Sequence, residues 1–204
     1  MKRVLWMVLL ALALPISAFA NNSVDFTNSG GTLSGSTAGL SLTGSELVAV
    51  DGLNGMGLVT GSLGRVTFST GALTSGSLAW GGTFAGGGAF DIRSNGTQGI
   101  PKGLLFNGTF GGPVTWTMVT LANGTHNYTL SGTLTGTWYT GATVDGVTIQ
   151  LTVNTGLKCF TGKTKLGSGD TDINAPSVPE PGSLSLLGVG LIGMAGIVRR
   201  KLKL

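Results

Sequence analysis

The chain has 204 residues, of which 37 are glycine and only 10% are charged. This composition suits short strands and turns better than helices, so an all-β protein is expected. The net charge of +4 comes from the two ends, because residues 21–178 carry six cations and seven anions. A near-neutral body lacks the clustered cations that phosphate recognition needs, which excludes nucleic acid as a partner.

A secretory signal peptide is predicted at residues 1–20. A short basic segment is followed by eleven apolar residues at positions 4–14, and Ala18 and Ala20 have the small-x-small spacing that signal peptidase requires. A retained membrane helix is the alternative, but the apolar run is well short of the roughly 20 residues of a span. We therefore expect an N-terminal signal helix, cleavage after Ala20, and signal peptidase and the export machinery as partners.

Residues 21–162 are predicted to form an exported β-rich domain, either an antiparallel β-sandwich or a barrel-like roll. Apolar and polar residues alternate most clearly over 113–155, and Asn-Gly and Asp-Gly pairs there suit tight turns between antiparallel strands. Short candidate strands separated by glycine continue this pattern towards the N-terminus. The repeated GTLSG and GTLTG phrases suggest a β-solenoid as an alternative, although no fixed period connects them.

Residues 163–178 are predicted to be a flexible linker, because the alternation fades and the segment is polar with Pro and Gly. Asp170, Asp172 and Asn174 occupy the first three ligand positions of an EF-hand-type calcium loop. However, Ala175 and Pro181 stand where that loop needs glycine and a bidentate acid. A solvated linker is the preferred interpretation, and no metal is expected.

Few side chains of the body could carry catalysis. There is one histidine, His126, close to an Asn-Gly turn, and one cysteine, Cys159, whose state the sequence leaves open. A multi-histidine metal site and a nucleophilic triad are both unsupported. The body is predicted not to be an enzyme and to need no cofactor; a glycoside hydrolase is a weak alternative that would need two facing carboxylates about 5 to 10 Å apart.

Aromatic residues could provide stacking platforms for sugar rings. Trp116, Trp138 and Tyr128 share strand faces with apolar residues and are predicted to belong to the core. Tyr139 follows Trp138 directly and points to the opposite face, so it is the candidate for sugar stacking. A carbohydrate-binding module acting on matrix polysaccharide is therefore the main alternative function.

The C-terminal segment 179–204 has three parts in order. A Pro-Glu-Pro triplet is followed by residues 184–198, which carry no charge and would measure about 22 Å as a helix, enough for a thin or tilted span. The cations after it orient the C-terminus towards the cytoplasm by the positive-inside rule. The residues concerned are Pro179, Glu180 and Pro181 in the triplet, and Arg199, Arg200, Lys201 and Lys203 after the transmembrane helix.

These three parts closely resemble the PEP-CTERM sorting signal of Gram-negative bacteria. The resemblance covers about the last 27 residues and implies recognition of the Pro-Glu-Pro triplet by an exosortase, a membrane enzyme. It implies a precursor tethered transiently in the inner membrane and then delivered to the cell surface or extracellular matrix. A structural role in an exopolysaccharide or biofilm matrix is therefore expected, with exopolysaccharide as a candidate partner. A plain membrane anchor would leave the Pro-Glu-Pro triplet unexplained.

Overall fold

The computed structural model describes residues 23–174 and the single residue 190. The predicted signal peptide with Ala18 and Ala20, the Pro-Glu-Pro triplet, the 184–198 helix and the basic tail all lie outside these described residues. Over the described part of the chain, no helix has the length and apolar character needed to cross a membrane.

Residues 23–174 form thirteen strands and one short 3-10 turn, Leu53–Gly55. The strands are β1 Ser23–Ser29, β2 Thr32–Ser36, β3 Gly39–Asp51, β4 Val59–Ser69, β5 Leu73–Ser77, β6 Gly81–Phe84, β7 Gly87–Ser94, β8 Gly103–Phe110, β9 Val114–Thr120, β10 His126–Trp138, β11 Thr143–Asn154, β12 Lys163–Lys165 and β13 Ser168–Asn174.

Eight of these strands close into a barrel. Their order is β11-β13-β1-β3-β4-β7-β8-β10, and β10 pairs back onto β11. Every pairing around the ring is antiparallel. The all-β antiparallel prediction is therefore confirmed, and the barrel-like roll is the architecture that forms, rather than the sandwich or the solenoid.

The remaining strands lengthen one end of the barrel. Two long strands, β3 and β10, each pair with two shorter strands in succession: β3 with β1 and β2, and β10 with β8 and β9. Strands β6 and β5 continue outward from β9, and β12 pairs with β2. The continuous core of the barrel reaches into this extended end, where the rings of Trp116 and Tyr128 stack with centroids 5.0 Å apart.

Both polar atoms of that aromatic pair have partners. Trp116 Nε1 donates to the carbonyl of Leu78 at 2.9 Å, and Tyr128 Oη donates to the carbonyl of Ala79 at 2.7 Å. Buried Trp and Tyr need such partners, because an unpaired donor in a low-dielectric core is costly. The two bonds hold the loop between β5 and β6 over this end of the barrel.

The predicted linker is wrong for residues 163–174, where the structure has strands β12 and β13. Strand β13 pairs with β1 along its whole length and with β11 over residues 168–172. It therefore closes the barrel between these two strands. Its inward residues are Gly169, Thr171 and Ile173. Only Ile173 is large and apolar, so the sequence of β13 shows little alternation of apolar and polar residues. The folded body therefore extends to Asn174, and residues 175–178 lie outside the described residues.

Candidate functional site

An open groove crosses the outer face of four neighbouring strands, β9, β10, β11 and β13. Its volume is about 570 Å³. The lining residues are Pro113, Thr115, Ser131, Gly132, Thr133, Thr148, Ile149, Gln150, Asp170 and Asp172. Most of them carry a hydroxyl, amide or carboxylate, so the groove offers hydrogen bonds rather than an aromatic floor.

Strand register arranges these side chains in two rows. The first row runs from Thr115 to Ser131, Gln150 and Asp170, each paired directly with the next across β9, β10, β11 and β13. Within it, the hydroxyls of Thr115 and Ser131 lie 2.6 Å apart and share a hydrogen bond. Successive side chains on a strand point to opposite faces, so residues paired in this way share the outer face.

The second row lies two residues along each strand. It runs from Thr133 on β10 to Thr148 on β11 and Asp172 on β13. The two-residue repeat of a strand separates the rows by about 7 Å. Both rows therefore begin with hydroxyls on β9 or β10 and end with a carboxylate on β13.

A row of carboxylates continues from the end of the groove. Asp172 pairs with Asp25 on β1, and Asp25 pairs with Asp51 on β3. The pKa of Asp25 is raised, first by burial and then by the charges of Asp170 and Asp172, with a smaller contribution from Asp51; the backbone N–H of Phe26 acts in the opposite direction. This side of the barrel is therefore strongly electronegative.

The carboxylates of β13 are arranged differently from the ligands of a calcium loop. Within residues 23–174, no group of three or more His, Cys, Asp or Glu side chains is placed to hold a metal ion. Asp170, Asp172 and Asn174 all lie on the exposed face of the extended strand β13. A calcium loop must instead curl its ligands around the ion, which an extended strand does not do.

Tyr139, the predicted sugar-stacking residue, lies outside the groove. Its ring packs against Trp138 with centroids 5.2 Å apart, and its hydroxyl donates to Asn54 Oδ1 at 2.5 Å. The prediction that the other aromatics belong to the core is confirmed, since Trp116, Tyr128 and Trp138 are all buried. Trp80, by contrast, is 70% exposed.

His126 and Cys159 are also absent from the groove lining. The Nδ1 atom of His126 lies 3.0 Å from the hydroxyl of Thr120 on the neighbouring strand, and Cys159 is partly buried beside the core residue Phe160. Sequence reasoning missed the groove itself. Alternation over 113–155 does identify its hydroxyl positions, but its carboxylates come from β13, which was interpreted as linker.

The described residues thus form an all-β barrel with an open groove on its outer face. The class of protein is indicated by a segment later in the sequence. Residues 177–201 match the family described as the PEP-CTERM protein-sorting motif. The chain therefore carries a C-terminal sorting signal, as its tail predicted, and the motif indicates an exported, membrane-processed surface protein that is processed by an exosortase. Neither a curated protein nor a solved structure matches the chain, and the body has no family assignment.

Proposed function

We propose that the barrel is a non-catalytic structural protein of an exopolysaccharide or biofilm matrix. The observation that carries this proposal is the sorting motif at residues 177–201, attached to a closed barrel with a hydroxyl-rich outer face. A body held by one continuous apolar core and by strand pairing needs no disulfide, which suits an exported chain with a single cysteine.

The delivery route is part of this proposal. Signal peptidase cleaves after Ala20, residues 184–198 hold the precursor transiently in the inner membrane, and the cations at 199–203 keep the C-terminus in the cytoplasm. The exosortase then acts at the Pro-Glu-Pro triplet and frees the body for the cell surface or matrix.

Cell fractionation of a Glu180→Ala variant tests this route. We expect its body to stay with the inner membrane, whereas Glu46→Ala, which removes an exposed carboxylate from β3, should be released like the wild type. Release of both variants would refute sorting through the triplet. If the protein is structural, deleting its gene should also weaken the matrix, and unchanged matrix mechanics would count against that role.

A carbohydrate-binding module is the second candidate function, and the groove favours it. Two rows of hydroxyl and amide groups can both donate and accept hydrogen bonds, as sugar hydroxyls do. Pull-down on matrix polysaccharide should be weakened by substitutions in the groove such as Ser131→Ala. If Tyr139→Ala alone abolishes binding, stacking on Tyr139 is the binding mode and the groove is not the site.

We also propose that the body does not hydrolyse glycans. Asp25, whose pKa is raised, lies directly opposite Asp172, so these two carboxyls are the nearest candidates for a catalytic acid and base. However, both project from the same outer face of paired strands. A glycosidase instead places the sugar between two carboxyls about 5 to 10 Å apart. Release of reducing ends from host polysaccharide, lost in Asp25→Asn, would overturn this proposal.

A further inference from the structure

We propose that the groove across β9, β10, β11 and β13 binds a polysaccharide that carries free amino groups. In this arrangement Asp170 and Asp172 pair with the ammonium groups, while the hydroxyl rows bind the sugar hydroxyls. The proposal rests on the carbohydrate-binding function above and names its ligand class and its binding face.

The two rows fit the two edges of a sugar ring. They lie about 7 Å apart and run across the strands, so a ring between them can reach polar groups on both sides. Along each row, neighbouring strands are about 4.8 Å apart, which gives a repeated set of hydrogen-bonding groups along the groove. A chain of sugars is therefore a better match than a single small polar molecule.

The hydroxyl rows distinguish the groove from a simple patch of acids. Thr133 and Thr148 pair directly on neighbouring strands, and Gln150 lies beside Ser131. A hydroxyl and a primary amide each donate and accept, so these groups can satisfy a sugar hydroxyl in either role. Acidic side chains alone only accept hydrogen bonds when ionised and would give no such preference.

The negative charge of the groove should distinguish between cationic, neutral and anionic polysaccharides. The residues that line the groove include two carboxylates and no cation, and Asp25 and Asp51 extend the negative charge beyond its end. A polyanionic glycan would be repelled from this face, and a neutral one would gain only ordinary hydrogen bonds. An ammonium group gains charge-assisted hydrogen bonds, which are roughly twice as strong as neutral ones.

Calorimetric titration of the full-length chain in detergent tests the proposal with three probes. Chitosan oligosaccharides carry free amines, chitin oligosaccharides are neutral, and alginate is anionic. We expect chitosan oligosaccharides to bind most tightly and alginate not to bind. The affinity for chitosan oligosaccharides should fall as salt is added, because the charged pairs lie at the surface.

Matched variants locate the binding. The double variant Asp170→Asn, Asp172→Asn should lower chitosan affinity by at least about tenfold, the effect of losing one or more charge-assisted hydrogen bonds. Asp145→Asn removes an exposed carboxylate of β11 outside the groove and should change affinity less than about twofold. Thr133→Val keeps the charge and should still weaken binding. Thermal melts of each variant confirm that the barrel is intact.

These experiments test carbohydrate binding in the groove separately from the preference for free amino groups. Equal losses in Asp145→Asn and in the double variant, or full affinity in Thr133→Val, would show non-specific attraction and overturn the groove as the site. Stronger groove-dependent binding of chitin oligosaccharides would overturn the amino-group preference but leave carbohydrate binding in place. No binding to any of the three probes would overturn both.

Discussion

Asp25 should destabilise the folded barrel at neutral pH, and Asp25→Asn should therefore stabilise it. Asp25 lies directly opposite Asp172 on one side and Asp51 on the other. Like charges in direct cross-strand positions are unfavourable, and each such pair is worth from a few tenths to about 1 kcal/mol. Asparagine keeps the shape of the side chain. It removes the cost of burying the charge, the repulsion from the nearby Asp170 and both cross-strand repulsions.

The expected gain is about 1 kcal/mol after part of the hydrogen bond from the Phe26 N–H to the carboxylate is lost. For a body of about 150 residues, this corresponds to a rise in Tm of about 2 to 4 °C. The effect depends on pH, because the folded barrel raises the pKa of Asp25 above its ordinary value of 3.8. A raised carboxyl pKa favours the folded state below 3.8, and that advantage is lost as pH rises through the folded pKa.

Thermal denaturation followed by circular dichroism, from acid to neutral pH, measures this effect. Asp25→Asn should melt higher than the wild type at neutral pH, and the difference should disappear below the ordinary carboxyl pKa. Asp145→Asn is the control with the same change of charge. Equal stabilisation at all pH values, or the same gain in the control, would refute the charge of Asp25 in its partly buried, acidic surroundings as the cause.

Three further perturbations test the core and the corrected C-terminal boundary. Thr171→Val should stabilise the barrel by about 1 kcal/mol in urea denaturation, because the Thr171 hydroxyl is fully buried and has no hydrogen-bond partner among residues 23–174; a loss of stability would show that this hydroxyl is bound. Trp138→Ala should cost about 3 to 5 kcal/mol, since the ring is buried against Phe26, while Trp80→Ala at an exposed position should stay within about 0.5 kcal/mol. A chain ending at residue 174 should unfold cooperatively, whereas one ending at residue 167 lacks β13 and should not; equal cooperativity in both would contradict closure by β13.

The strands that the sequence predicted well are those whose inward residues are large and apolar. Over 113–155 the structure has β9, β10 and β11 paired in succession, as the alternation and the turn dipeptides indicated. On β11, Val147, Ile149, Leu151 and Val153 are buried and alternate with exposed or half-buried polar residues. A two-residue period is visible in the sequence when burial of each inward side chain requires an apolar residue.

Strand β13 escaped prediction because the barrel leaves little room for its inward side chains. A Cβ atom added at Gly169 would overlap Cδ2 of Leu151 and lie 2.7 Å from Oδ1 of Asn28. The next inward residue, Thr171, is also buried, and its own side chain is small and polar. Small and polar residues at inward positions follow from packing against distant strands, and such contacts cannot be read from the local pattern.

The groove could not be predicted from the sequence either, because it also depends on contacts between distant strands. Its hydroxyls stand at outward positions that the alternation identifies, but their neighbours Asp170 and Asp172 are brought there by pairing between β11 and β13. That register depends on barrel closure, in which β1 near the start of the body pairs with β13 at its end. Pairings between segments so far apart leave no periodic signal in the sequence. The sorting tail, in contrast, was predictable because its three parts are contiguous.

Closure by β13 also limits where the exported protein can be processed. Ser23 pairs with Asn174, so the first and last described residues of the body are strand neighbours. A cut within β13 would leave the hydrogen-bonding edges of both β1 and β11 unpaired, and exposed edges of this kind promote aggregation. A cut after Asn174 removes none of the strand residues within 23–174. A processing enzyme that reads the motif at 177–201 can therefore release an intact body only by cutting beyond residue 174, which leaves the whole of β13 in the mature protein.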